Sequence, residues 1–233
     1  MATAKDHRGK TAVGGAGGGR GTTPASGPGY ENATFNVVGN ESPWGYTELA
    51  EMAGIPPEFS GEITIVPVSG GIGGPSTLVV ADGQGLTIET TMRSDGVAEI
   101  ARFQTDPGGT YAGRGAGLLS QQAAALRGRG FVEMTVTTEG QGNGSLRPPA
   151  PGEVKSYYNF ARAGFVPNAA QAAQFTTRYN QATGSDAKSF RQLMNTAQGR
   201  QWFYRFGSGY SGTFDLRPSS YSSMTLKKAV KGE

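Results

Sequence analysis

Between Glu62 and Thr138 the chain runs in short stretches rich in Val, Ile, Thr and Phe, separated by Gly, Asp or Pro. This rhythm limits the fold more than any other feature of the sequence. Ile63–Val68, Ser76–Val80, Leu86–Met92, Val97–Phe103 and Phe131–Thr138 each read as a strand. Leu86, Ile88, Thr90 and Met92 alternate with polar neighbours, so this strand buries one side only. Asp95-Gly96 between two such runs is a tight-hairpin signal. The expected body is a central sheet or sandwich of about five to seven strands.

What surrounds this body reads differently. Residues 1–30 carry many glycines and few apolar anchors, which predicts an N-terminal arm without a fold of its own. Residues 31–139 form the β-rich body with one or two short helices: one capped by Thr47, with Leu49, Met52 and Ala53 at helical spacing and stopped by Gly54 and Pro56-Pro57, and a second at Leu118–Leu126. Residues 140–152, with Pro148, Pro149 and Pro151, read as a Gly/Pro linker. Residues 153–206 take on a helical period: Glu153–Ala163, Asn168–Ala182 capped by Asn168, and Asp186–Gln198 capped by Ser185. The run from Trp202 to Phe206 fits a buried terminal strand equally well, and residues 207–233 read as an extended C-terminal arm. The fold class is therefore α+β: a β-rich centre, a C-terminal cluster of short helices, and extended arms at both ends.

Composition narrows the chemistry. With no cysteine among 233 residues, disulfides, zinc–thiolate sites and thiol nucleophiles are all excluded. His7 is the single histidine and lies in the arm, which excludes a His-rich metal site and a Ser-His-Asp triad within the body. No cofactor, metal or catalytic constellation is expected. SGGIGG at residues 69–74 lacks the Lys-Ser/Thr of a phosphate-cradling P-loop and precedes a strand, so it reads as a hairpin. Glu89, Glu99 and Glu133 lie on predicted strands, and a facing pair of them would suit a carboxylate-dependent hydrolase. Their ordinary reading is the solvent side of the sheet.

Charge is divided along the chain. Residues 31–110 hold eleven acids against two bases, and residues 111–233 hold fifteen bases against six acids. These surfaces either face each other within one molecule or meet between copies, acidic face to basic face. Asp106–Gly117 is a long glycine-rich loop leading into a short helix, and Arg114, Arg127 and Arg129 sit around that helix's ends, where arginines can hold phosphates or carboxylates. Aromatics alternate with bases at Tyr157–Arg162, at Arg178, and at Arg200, Trp202, Tyr204 and Arg205, a composition suited to single-stranded nucleic acid or to a protein interface. Trp44 and Tyr46 are the further interface candidates.

No apolar window is long enough for a membrane span, and the first residues lack the apolar core of a signal peptide. The functional expectation is a noncatalytic structural subunit of a large homomeric assembly, of the viral or phage kind (capsid, connector or tail). It would be made in the host cytoplasm and located in the virion, with copies of itself and other particle proteins as partners. The alternatives are a nucleic-acid-binding protein using the basic aromatic C-terminal region, and the hydrolase.

Overall fold

The computed structural model describes residues 21–24, 29–39, 42–71, 74–140 and 156–232. Its elements are β1 (Gly21–Pro24), β2 (Ala33–Val37), α1 (Tyr46–Ala53), β3 (Gly61–Gly71), β4 (Gly74–Gly83), β5 (Leu86–Arg93), β6 (Val97–Thr105), α2 (Gly115–Gly128), β7 (Glu133–Thr137), α3 (Ser156–Arg162), β8 (Val166–Pro167), α4 (Ala169–Thr183), α5 (Phe190–Asn195), α6 (Ala197–Phe206), β9 (Ser211–Asp215) and α7 (Tyr221–Lys231). The class is α+β, as expected. Among the described residues a single mixed sheet runs β1-β2-β3-β4-β5-β6-β7-β9-β8. Two pairs, β2 with β3 and β6 with β7, are parallel.

The alternation expected for β5 holds: Leu86, Ile88, Thr90 and Met92 are buried and their neighbours are half-buried. The same parity runs across the sheet through Ile63, Ile65, Val79, Ala81, Ala98, Ile100, Met134, Val136 and Phe214. One face of the sheet therefore carries the core. Helix α1 lies on β4 and β5, α2 on β6, and α7 on β9 and α2. The other face carries Thr64, Val66, Leu78, Val80 and Thr91, together with most of the strand carboxylates.

Several boundaries differ from expectation, each for a local reason. Helix α1 begins at Tyr46, because the Glu48 carboxylate reaches back to accept from the Gly45 N–H at 2.9 Å and closes the first turn. Gly54 ends it in the left-handed region (φ 83°). Asn168 caps α4 as expected, accepting from the Gln171 N–H at 3.0 Å. The next expected helix divides in two. Ser189, and not Ser185, caps α5, and Thr196 then opens α6, accepting from the Gly199 N–H at 2.9 Å. A Cβ on Gly199 would fall 2.0 Å from the Leu193 carbonyl oxygen, so this corner closes only with glycine there.

The run Trp202–Phe206 is helical and buries Trp202 and Phe203 on one side of α6. The expectation of an extended arm over 207–233 is corrected. Gly212 and Phe214 alternate inward, so 211–215 joins the sheet between β7 and β8, and Ser220 then caps α7 by accepting from the Ser223 N–H at 3.1 Å. The short strands β1 and β8 bring the described sheet to nine strands, above the expected five to seven. Most of the predicted N-terminal arm (1–20 and 25–28), most of the predicted linker (141–152) and the first three residues of the predicted helix Glu153–Ala163 lie outside the described residues.

The C-terminal half is held by rings. Phe203 is fully buried, with Tyr157, Phe175 and Phe190 edge-on to it at 5.5, 5.1 and 5.0 Å and Tyr210 at 6.4 Å. Phe160 and Phe165 continue this cluster to Phe214 on β9 and to Phe103 on β6.

A candidate ligand cleft between two parting strands

Strands β6 and β7 pair in parallel over four positions, Val97 to Ile100 against Glu133 to Val136. Beyond them the two chains follow different partners. Arg102 to Thr105 stay with β5, paired to Glu89 through Leu86, while Thr137 and Thr138 stay with Ser211 and Tyr210. The parting begins at a bulge: Ile100 faces Thr90 and Arg102 faces Glu89, so Ala101 is the extra residue. This parting, called the wedge below, lies at the carboxyl ends of the two parallel strands, where crevices of α/β units receive ligands. Among the described residues, the β6–β7 pairing ends at Ile100, and Ala101–Thr105 have no paired residue on the β7 side. Phe160 of α3 approaches Phe103 beside this gap, with ring centroids 6.5 Å apart.

The loop after β6 brings a second feature to the same end of the sheet. It ends in Gly113-Arg114-Gly115-Ala116-Gly117, and α2 starts there with no acidic residue in its first turn and no side-chain cap. Among the described residues the N–H groups of Gly113, Gly115, Ala116 and Gly117 meet no acceptor outside the helix. Such a cluster of N–H groups favours an anion. Gly113 needs its glycine for a φ of 74°. Gly117 does not: a Cβ there would meet nothing within 4 Å, so its bareness leaves open space against the helix start. A cavity of about 240 Å³ lies here, lined by Arg114, Gly117 and Gln121 and by Ala229 and Val230 of α7.

Most of the arginines singled out in the sequence are occupied inside the molecule. Arg114 reaches Glu58 at 2.7 Å and lies over the Tyr111 ring, which places its charge beside the cleft but pairs it with a carboxylate. The Glu58 carboxyl is held below its ordinary range, first by a backbone N–H and then by Arg114. Arg129 contacts both Glu48 and Glu51 at 3.2 Å, tying α2 to α1. Arg127 donates to the Leu216 carbonyl at 2.6 Å and to Ser223 Oγ at 3.3 Å, tying α2 to the chain's last elements. The acidic and basic segments thus meet partly within one molecule. Arg178 lies over the buried Trp202 ring and donates to the Phe206 carbonyl. Trp44 packs on Phe131 at 5.7 Å, and Tyr46 is half-exposed beside Phe35.

Three candidates do come together on the surface. Arg200, Tyr204 and Arg205 of α6 line a groove of about 780 Å³ with Tyr158 of α3, Gln198 and Gln201. The two glutamines carried no signal in the sequence, because polar residues on a helix face read as solvated.

The carboxylates behave differently from a facing catalytic pair. Glu89 stands opposite Arg102, and Glu99 opposite Thr91 and Thr135. Glu133 instead lies directly across from Asp215. Burial, and then the charge of Asp215, pushes the Glu133 carboxyl above its ordinary range, while hydrogen bonds from Arg217 hold Asp215 low. Among the described residues there is no group of three or more metal-ligating side chains, and no helix is long and apolar enough to cross a membrane. No protein-family model, curated protein or solved structure matches the chain.

Proposed function

We propose that the chain binds a phosphate-bearing cofactor with an extended amide arm, of the coenzyme A type, in the wedge between β6 and β7. One observation carries this reading: among the described residues, Ala101–Thr105 have no paired strand on the β7 side. An arm containing amides can add to that edge as a further strand would, giving and accepting main-chain hydrogen bonds. The N–H groups around Gly113–Gly117 and the open space before Gly117 suit the phosphates at the other end of the same molecule. A mononucleotide offers phosphates without the arm, and a peptide offers amides without the phosphates.

Titration calorimetry with coenzyme A, ADP and inorganic pyrophosphate tests the proposal. Coenzyme A should bind more tightly than either fragment, and Gly117→Asp should weaken it by tenfold or more by placing a carboxylate where the phosphates sit. An acid in a first helical turn is favourable for folding, so the variant should melt as the wild type does. Failure of coenzyme A to bind, or equal binding by the variant, would overturn the proposal.

A second reading, a noncatalytic structural subunit of a homomeric assembly such as a virion component, is favoured by how charge divides between the layers. The open sheet face carries Glu62, Asp82, Glu89, Glu99, Glu133 and Asp215 against Arg93 and Arg102. From α3 onward the helical layer exposes Arg162, Arg178, Lys188, Arg191, Lys227 and Lys228 against Asp186. Copies stacked sheet to helices would bring opposite charges together. Sedimentation at low and high salt tests it: large species that dissociate with salt support assembly, and a monomer at every concentration and ionic strength contradicts it.

A further inference from the structure

The groove between α3 and α6 lies apart from the wedge, and the cofactor reading leaves it unused. Its floor and one wall come from the polar side of α6, whose opposite side buries Gly199, Trp202 and Phe203. The other wall is Tyr158. Tyr158 and Tyr204 meet edge to face, with ring centroids 4.9 Å apart and planes at 88°, forming an aromatic corner. Tyr204 is held from behind, since its carbonyl accepts from the Tyr157 hydroxyl at 2.8 Å. Arg200 donates to the Met194 carbonyl at 3.2 Å, which fixes the guanidinium without neutralising it.

Among the described residues, no carboxylate lies within ion-pair distance of Arg200 or Arg205. The nearest acids in sequence, Asp186 and Asp215, contact Lys188 and Arg217. A surface with two such cations, two carboxamides and two ring planes offers three kinds of contact at once. Cations take phosphates, rings stack on bases, and carboxamides hydrogen-bond base edges. An acidic peptide would use the cations and leave the rings and amides unmatched. The volume of about 780 Å³ lies within the range of small-ligand clefts, roughly 300–1,000 Å³, which seats a short unpaired stretch and not a duplex.

We infer that this groove is a binding site for single-stranded nucleic acid, with Tyr158 and Tyr204 as stacking platforms and Arg200 and Arg205 as phosphate contacts. Fluorescence anisotropy with a labelled ten-nucleotide oligothymidine tests this on the full chain, with poly-glutamate as the competing anion. Tyr158→Ala should weaken binding about tenfold, since stacking of one base is worth roughly five- to 150-fold. Tyr158→Phe should retain it. Arg200→Gln combined with Arg205→Gln should make the slope of log K against log salt shallower by about 1.4, the loss of two single-strand phosphate contacts. Gly117→Asp should leave oligonucleotide binding unchanged, which separates the groove from the wedge. The inference is overturned if the wild type does not bind the oligonucleotide, if poly-glutamate binds as well as it does, or if the double arginine variant keeps the wild-type salt slope. That slope decides the matter even if Tyr158→Ala proves unstable.

Discussion

The β3–β6 meander and the β7–β9 quarter share one sheet and one buried face, yet they are built by opposite means. The meander uses antiparallel strands of eight to eleven residues, with α1 and α2 as its cover. The quarter has strands of five, five and two residues, and its interior is the ring cluster around Phe203. Hydrogen-bonded ladders organise the first region and side-chain packing the second. The two are paired strand to strand over four positions only, and the wedge opens where that pairing stops. The proposed ligand site is therefore a seam between two structural solutions.

The strongest way to break this comparison is at the ring cluster. Phe203→Ala should cost about 3–5 kcal/mol, the usual range for a buried Phe emptied to Ala, read from the urea midpoint. A loss below 1 kcal/mol would mean that packing does not hold the quarter together. Next in size is Gly164→Ala. Gly164 has a φ of 104°, and a Cβ there would fall 2.6 Å from the Ser222 carbonyl oxygen. With both backbone strain and a backbone clash, the cost should be about 2 kcal/mol or more, seen as a lower melting temperature.

Smaller effects sharpen the contrast from the ladder side. Arg129→Ala removes two ion pairs with partly exposed Glu48 and Glu51 and should cost no more than about 1 kcal/mol, shrinking further in high salt. The smallest change is Glu133→Gln. The folded carboxyl of Glu133 is raised above its unfolded value, so the stability this group contributes is present at low pH and lost as pH rises through the folded pKa. At pH 7 the Gln variant should therefore be more stable by a few tenths of a kcal/mol, the lower end for like charges facing across strands, because the site is partly solvated. This advantage should shrink as pH falls through the raised folded value and be gone below about pH 4.5, the ordinary value for a glutamate. An unchanged or larger advantage at low pH would show that the effect is not electrostatic.

Legibility in the sequence followed the same division. The alternation in β5 and the Asp95-Gly96 turn are local signals, and both appear in the fold as read. The parallel pairing of β6 with β7 joins residues separated by a loop and a helix, and nothing in either strand announces its partner. That is why the wedge was not visible, although the loop Asp106–Gly117 and Arg114 were. Thr90 and Gln122 are polar yet fully buried, with Gln122 Nε2 donating to Thr90 Oγ1 at 3.3 Å, a pairing that only the packed helix creates. At the C-terminus the spacing of Tyr210, Phe214 and Leu216 among Ser, Gly and Pro resembled isolated anchors. In the fold all three are buried, because Ser211–Asp215 is taken up between two other strands. The groove was half legible: Arg200, Tyr204 and Arg205 stood out as an aromatic-basic run, but the wall supplied by Tyr158 depends on how α3 meets α6.

Hydrogen–deuterium exchange with and without saturating coenzyme A tests the seam most directly, because it reads each backbone amide. The ligand should slow exchange in Ala101–Thr105 and in Gly113–Gly117 together, leaving the α6 groove unchanged. Protection confined to one of these stretches, or appearing at neither, would contradict a cofactor lying along the free edge of β6 with its phosphates at the start of α2.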